Sequence, residues 1–239
     1  MQQKVIFRDL GIIDYKSAWD YQEELVRQNI EKKRSAINGE RVTTVNYFLF
    51  CEHPPVYTLG KSGKIDNVLL SEQEMEEKEI EFFRTNRGGD ITFHGLQQVV
   101  GYPILDLENF YTDIGRYLRE LEEVIILTIA EYGIKGERSK GETGVWIDSE
   151  HKGRERKICA MGIRCSRWIT MHGFALNVNT DLSYFNNIIP CGIQNKQVTS
   201  IEKELGRKVD FEEVKQKLKR NFENVFNTEI ITSEPVINS

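Results

Sequence analysis

Apolar and polar positions alternate, cluster and break along this chain in ways that mark out most of its elements. Residues 4–8 read as a short strand. From Asp14, a residue suited to capping, Tyr15, Ala18, Trp19, Leu25, Val26 and Ile30 fall near one helical face, and the stretch closes in Glu31-Lys32-Lys33-Arg34. In residues 44–52, Val45, Tyr47, Leu49 and Cys51 alternate with Asn46, Phe48 and Phe50. Apolar character on both faces predicts a buried strand, stopped by His53-Pro54-Pro55.

Residues 69–81 are polar and acidic, a short helix or surface loop leading into a strand over 81–86, which Gly88-Gly89 breaks. A strong helix follows from an Asp113 cap, with Ile114, Tyr117, Leu118, Leu121, Val124, Ile125 and Ile129 at helical spacing and Gly133 as its stop. Residues 144–148, 157–165 and 170–178 are β-like, the last two close enough to form a hairpin. Thr199-Ser200-Ile201-Glu202 reads as a capping box whose helix ends at Gly206, and Asp210 opens a last helix carrying Phe211, Val214, Leu218, Phe222 and Val225. Strands and helices mix without strict βαβ alternation or internal repeat, so an α+β fold with a mixed, largely antiparallel sheet and packed helices is expected.

At 239 residues the chain is long enough to bury a core without staples, and one domain over residues 1–226 is expected, with 227–239 as a loosely ordered tail. The 32 Lys+Arg against 37 Asp+Glu leave a formal charge of −5, which disfavours nucleic-acid binding through a generally basic surface. No apolar run reaches the roughly 18 residues of a membrane helix, and the first residues lack an apolar core followed by a small-residue cleavage site, so a cytoplasmic location without membrane contact is expected. Cys51, Cys159, Cys165 and Cys191 form no C-x-x-C pair, and His53, His94, His151 and His172 form no H-E-x-x-H. No metal site and no disulfide framework are written here.

Three loop-like segments gather glycine and polar residues: 87–95, 157–162 and Pro190-Cys191-Gly192. Glycine lets a backbone approach a ligand closely, so the Arg-Gly-Gly turn could wrap a substrate; a tight turn entering a strand is the plainer reading. Cys51, Cys159 and Cys165 sit in apolar strand runs as small hydrophobes, whereas Cys191 lies between Pro190 and Gly192 after an irregular stretch. It is therefore the candidate nucleophile, against the alternative of an unreactive loop cysteine.

Taken together, these segments resemble the lipoyl(octanoyl) transferases, the octanoyltransferases of lipoate biosynthesis. The residues that carry the resemblance are 52–60, 87–95, Val99, 101–107, Gly144-Val145-Trp146, Lys157-Ile158, Gly162-Ile163-Arg164, 172–178 and Pro190-Cys191-Gly192, in one order from about Gly11 to Glu202. The resemblance implies the biotin/lipoate protein ligase-like fold and an enzyme that takes octanoyl, or lipoyl, from acyl carrier protein onto Cys191, assisted by Lys157. The acyl group then passes to a lysine of the lipoyl domains of 2-oxoacid dehydrogenase complexes or of the glycine cleavage H protein. No cofactor is implied, because a thioester is already activated.

By the same resemblance the substrate is lined by Arg87, Gly88, Gly89, Asp90, Ile91, Thr92, Phe93 and His94, by Ala160, Met161 and Gly162, and by Gly173, Phe174 and Ala175. Tyr102 is a further candidate for the acyl slot. Two departures from the family pattern are specific: Asp90 stands where glutamine is usual, and Leu96-Gln97 where Pro-Gly is usual, which bears on acyl-chain preference at the pocket mouth. His94 and His172 could orient the thioester, donate to an oxyanion, or be hydrogen-bonded scaffold. The run His151-Lys152-Gly153-Arg154-Glu155-Arg156-Lys157 is expected at the docking rim for acidic carrier proteins, or is a solvated turn. An ATP-dependent lipoate or biotin ligase of the same fold and a non-catalytic module that binds acyl carrier protein are the competing functions.

Overall fold

The computed structural model describes residues 2–35, 42–189 and 197–233. Cys191, with Pro190 and Gly192, lies outside the described residues.

Strand β1 (Gln3–Ile12) leads into helix α1 (Tyr15–Ser35), and β2 (Asn46–Glu52) follows. Next come β3 (Val56–Leu59), the short helix α2 (Glu72–Glu77), β4 (Glu81–Arg84), β5 (Ile91–His94) and β6 (Gln98–Ile104). Helix α3 (Ile114–Ala130) precedes β7 (Glu137–Arg138), β8 (Val145–Ile147), β9 (Arg156–Ser166) and β10 (Ile169–Asn177). The chain ends in β11 (Gln197–Val198), α4 (Ile201–Leu205), α5 (Phe211–Phe226) and β12 (Thr228–Thr232).

The large sheet runs β12-β1-β2-β6-β10-β9-β8-β7, with β11 also paired to β9. Pairings from β2 through β7 are antiparallel, while β12, β1 and β2 are mutually parallel and β11 is parallel to β9. The expected mixed, largely antiparallel sheet is thus present. A second sheet, β4-β3-β5, was not legible as a separate unit.

Both faces of the large sheet are covered, which is why β2 is apolar on both sides. Phe48 and Phe50 join a core with Leu121, Val124 and Ile125 of α3 and Val214, Leu218 and Phe222 of α5. Tyr47, Leu49 and Cys51 face the other way and pack with Ala18, Leu25 and Val26 of α1. The small sheet has its own cluster, in which Tyr57, Phe93 and Ile188 meet Met75 of α2. Among the described residues no helix is long and apolar enough to cross a membrane.

Two expectations are corrected. Residues 227–233 are not a loose tail: Asn227 adopts φ +50° to cap α5, and β12 then adds to β1 in parallel register from Gln3↔Thr228 to Phe7↔Thr232. The α4 cap is shifted by one residue, Ser200 rather than Thr199 accepting from the Lys203 N–H. Thr199 instead gives its hydroxyl to Glu204 and its backbone N–H to the sheet.

Candidate functional site

A cavity of about 100 Å³ opens on the α1 face of the large sheet, where the small sheet and the Arg87–Asp90 turn come down beside Tyr15 of α1. Strand alternation aims the right side chains at it. Gln98, Val100 and Tyr102 project from β6, and Gly173, Ala175 and Asn177 from β10. From β9 come Lys157, Ala160 and Gly162. Gly173 is paired with Gly162 and Ala175 with Ala160, so four of the smallest side chains make a groove floor between bulkier walls.

Lys157 shares that face only because of an irregularity. Alternation alone would group it with Cys159 and Met161, but Val145 pairs with Cys159 while Trp146 pairs with Lys157. One extra residue on β9 resets the alternation, as a β-bulge does, and lets Ile158 and Cys159 both enter the core. The half-buried Lys157 ammonium comes to 4.6 Å from the centre of the Trp146 ring. Its backbone is flanked by β11, where Val198 pairs with Lys157 and also lines the cavity.

The Arg-Gly-Gly turn is bolted over the groove by its backbone. The Gly88 N–H donates to the Ile163 carbonyl at 2.8 Å, and a Cβ on Gly162 would stand 2.6 Å from the Gly88 carbonyl oxygen. Only glycine fits there. Arg87 is 7% exposed, and its Nη2 donates to the Thr58 carbonyl at 2.6 Å and to the Thr58 hydroxyl at 2.9 Å.

The histidines around the cavity are neutral. Burial drives His53 down to about 4 and His172 down to about 3, and pushes His94 well below the usual imidazole value. Hydrogen bonds then set their tautomers. His53 gives its Nδ1 proton to the Ile13 carbonyl at 2.7 Å, so its Nε2 accepts from the Tyr102 hydroxyl at 2.8 Å. Asn86 donates through Nδ2 to Glu23, leaving Oδ1 to accept the Nε2 proton of His172 at 2.7 Å. His172 sits at φ +59° in mid-strand, a strained conformation for a non-glycine residue, held by the Gln22 side chain accepting from its backbone N–H at 3.0 Å.

His94 lies between the Thr58 hydroxyl and Gln98 and stacks 5.9 Å from Tyr15. The one ring proton of His172 is committed to Asn86, and both ring nitrogens of His94 have partners. This favours the scaffold role left open for both residues over donation to an oxyanion.

Most residues expected to line the substrate do border the cavity: Arg87, Gly89, Asp90, Ile91, Thr92, His94, Ala160, Met161, Gly162, Gly173, Phe174 and Ala175, together with Lys157. Two do not. Phe93 points to the opposite face of β5, stacking on Tyr184 with ring centres 4.6 Å apart, because alternation sends Thr92 and His94 to the cavity. Gly88 is taken up by its bond to the Ile163 carbonyl and its close approach to Gly162. The unusual Asp90 is absorbed locally, accepting from the Ile91 N–H at 2.7 Å and from Asn67 Nδ2 at 2.8 Å. Leu96 and Gln97 lie away from the cavity wall, in a turn fixed by Val178, Asn179 and Thr180 donating to the Gln97 carbonyl.

Sequence reasoning missed Tyr15, Gln98 and Asn177. The signal for the last two was a carboxamide directly joined to an apolar strand run, at the start of β6 and at the end of β10, a placement that burial penalises unless a partner waits. Of the basic run, Arg156 is taken by Glu204 and Asp148, each at 2.6 Å, while His151, Lys152 and Arg154 stay exposed.

The profile of the lipoyl protein ligase A/B catalytic domain matches residues 14–223. The octanoyltransferase of Christiangramia forsetii is 58% identical over 232 residues, covering 96% of this chain and 99% of its own length. That of Flavobacterium psychrophilum is 58% identical over 233 residues, covering 97% and 100%. Among solved structures, the bipartite lipoate protein ligase of an archaeal lipoylation system from Thermoplasma acidophilum superposes with a TM-score of 0.71 at 15% identity, covering 99% of this chain and 88% of that one, a likeness of fold. With a profile spanning nearly the whole chain and relatives matched end to end, this chain belongs to the lipoyl protein ligase A/B catalytic domain family.

Proposed function

We propose that the protein is an octanoyltransferase that moves an octanoyl group from the thioester of acyl carrier protein, through an acyl-enzyme on Cys191, to a lysine of a lipoyl domain or glycine cleavage H protein. The observation that carries this reading is the meeting of a small-residue groove with an ammonium at its edge: Ala160, Gly162, Gly173 and Ala175 form the floor, and Lys157 borders it. Such a slot suits an unbranched apolar chain, and the ammonium suits a sulfur nucleophile. In the sequence Cys191 precedes by seven residues Val198, which pairs with Lys157.

A free thiol near pKa 8.5 is only about 3% thiolate at pH 7. An ammonium about 4 Å away favours the thiolate by up to roughly 4 kcal/mol at an effective dielectric of about 20. In the proposed first step the Cys191 sulfur attacks the thioester carbonyl, the bond to the carrier thiol breaks, and Lys157 supplies the proton that the leaving thiolate needs. In the second, the acceptor amine attacks the acyl-cysteine, Lys157 takes the amine proton, and the Cys191 thiolate leaves. The amide product is more stable than either thioester, so no nucleotide enters.

The test is incubation with octanoyl-acyl carrier protein without ATP, followed by mass spectrometry of the peptide containing Cys191. An octanoyl adduct that disappears when a lipoyl domain is added is the expected result. Absence of the adduct together with ATP-dependent transfer would make the chain a ligase; binding of the carrier protein with no transfer under either condition would make it a binding module.

A further inference from the structure

A buried file of hydrogen bonds runs under the groove from Arg87 to the strand that carries Lys157, and its polarity is fixed at both ends. A guanidinium can only donate, and so can a backbone N–H. Arg87 donates to the Thr58 hydroxyl oxygen through Nη2 at 2.9 Å and Nε at 3.3 Å, which leaves the hydroxyl's own proton for His94 Nε2, 3.3 Å away. His94 therefore carries its proton on Nδ1 and gives it to Gln98 Oε1 at 2.9 Å. Gln98 Nε2 donates to Asn177 Oδ1 at 2.8 Å and to the Phe93 carbonyl at 3.1 Å. Asn177 Nδ2 donates to the Thr199 carbonyl at 3.0 Å, and the Thr199 N–H donates to the Lys157 carbonyl at 2.9 Å.

Every link points the same way. Gln98, Asn177 and Thr199 are at most 4% exposed, so no link can be exchanged cheaply for water. The file also joins parts that no sheet pairing joins directly: the small sheet with the Arg87 turn at one end, and β11 with the backbone of Lys157 at the other. Carboxamides at positions 98 and 177 are suited to this work, because each must accept on one side and donate on the other. A carboxylate of the same shape cannot donate.

We propose that Gln98 and Asn177 are positioning residues of the transfer reaction, holding the β11–Lys157 edge in register with the Arg87 side of the groove and fixing His94 as its Nδ1-protonated neutral tautomer. This rests on the transferase reading above. Neither residue touches the reacting atoms in the proposed chemistry; both act through Lys157 and His94.

Two isosteric variants test it. In Asn177→Asp one oxygen still accepts from Gln98, while the other faces the Thr199 carbonyl with no proton to give. The expected result is a kcat for octanoyl transfer reduced at least tenfold, with KM for the carrier-protein donor changed less than threefold. In Gln98→Glu a carboxylate replaces the acceptor of the His94 Nδ1 proton. Burial above all, with the Arg87 guanidinium, opposes a charge on His94, and Tyr15 stacks on it. The new carboxylate counters them, and NMR titration of His94 is expected to show a pKa at least one unit higher than in the wild type.

If the buried carboxylate of Asn177→Asp prevents folding, Asn177→Ser removes both links without adding charge, and the same split between kcat and KM is expected of it. Folded variants with wild-type kcat, or with loss confined to KM, would overturn the positioning role, as would an unmoved His94 titration in Gln98→Glu. A wild-type chain inert toward the octanoyl donor would instead refute the transferase reading, and the titration would still judge the file.

Discussion

The Lys157 ammonium stands 4.6 Å from the centre of the Trp146 ring, across the irregular β8–β9 pairing. The ring face attracts the cation, and the reset alternation turns it toward the groove, so a single local irregularity both places and restrains the proposed proton carrier. A proton carrier and a fixed cation can be separated by substitution. Lys157→Ala is expected to slow both half-reactions by about 10²- to 10⁴-fold, the range for general acid–base groups. Lys157→Arg keeps the charge that favours the Cys191 thiolate but cannot release a proton. A departing carrier thiolate can take its proton from water, whereas the attacking amine must lose one to a base, so acylation of Cys191 should survive better than attack by the acceptor amine. Trp146→Leu should cost only about three- to tenfold, since a cation–π contact is worth about 1 kcal/mol. Single-turnover measurement of the two steps decides; equal loss in both steps for Lys157→Arg would refute the division of roles.

His53 and His172 bring a pH dependence whose sign follows from their burial. Both are neutral in the fold, with pKa values near 4 and 3, against about 6.5 when unfolded. Between those values the unfolded chain binds more protons than the folded one, so their contribution is fully present above about pH 6.5 and is lost as pH falls toward 4 and 3. For His53 this amounts to on the order of 3 kcal/mol. Urea unfolding at pH 7.5 and pH 5.0 should therefore show a marked loss at the lower pH. His53→Gln should be less stable than wild type at pH 7.5 and should show a smaller loss between the two pH values. An unchanged slope would mean that the acid sensitivity lies in other groups.

Much of this architecture is legible in the sequence because burial writes itself into alternation. Phe48 and Phe50 against Tyr47, Leu49 and Cys51 announce a strand covered on both faces, and α1, α3 and α5 follow from their spacing and from the caps Asp14, Asp113 and Asp210. What alternation cannot express is a change of phase. The extra residue at Ile158 decides which way Lys157 faces, and it depends on how β8 pairs with β9, a long-range matter. Phe93 goes with its neighbours in a motif because a motif is contiguous, whereas a strand deals its side chains to two sides. Residues such as Gln98 and Asn177 are named by their cost: a buried carboxamide needs partners, but only the fold tells which.

The exposed end of the basic run is the part able to meet an acidic donor. Arg156 is held between Asp148 and Glu204, whereas Lys152 and Arg154 stand in solvent on the turn that leads into β9. With a chain charge of −5, local cations near the groove would have to offset the general repulsion of an acidic carrier protein. The double substitution Lys152→Glu and Arg154→Glu is expected to raise KM for octanoyl-acyl carrier protein several-fold, leave kcat nearly unchanged and flatten the dependence on salt. A wild-type KM and salt profile would remove this turn from the docking surface.

The groove floor sets how much chain can lie on it. Ala160 faces Ala175 across β9 and β10, with Gly162 facing Gly173 beside them, and the depth available to an acyl chain is set at the two alanines. The glycines have no slack: a Cβ on Gly173 would come within 2.1 Å of the Gly101 carbonyl oxygen, and one on Gly162 within 2.6 Å of the Gly88 carbonyl oxygen. The alanines already carry a Cβ, so enlarging them fills the groove rather than displacing backbone. Ala160→Val and Ala175→Val are therefore expected to fold, and to lower kcat/KM for octanoyl donors at least tenfold while sparing butanoyl donors. Two lost methylene contacts of about 0.8 kcal/mol each are enough for such a change. A donor series from four to ten carbons on the same carrier protein measures it. If the preference for chain length does not shift in either variant, the acyl chain lies elsewhere than on this floor.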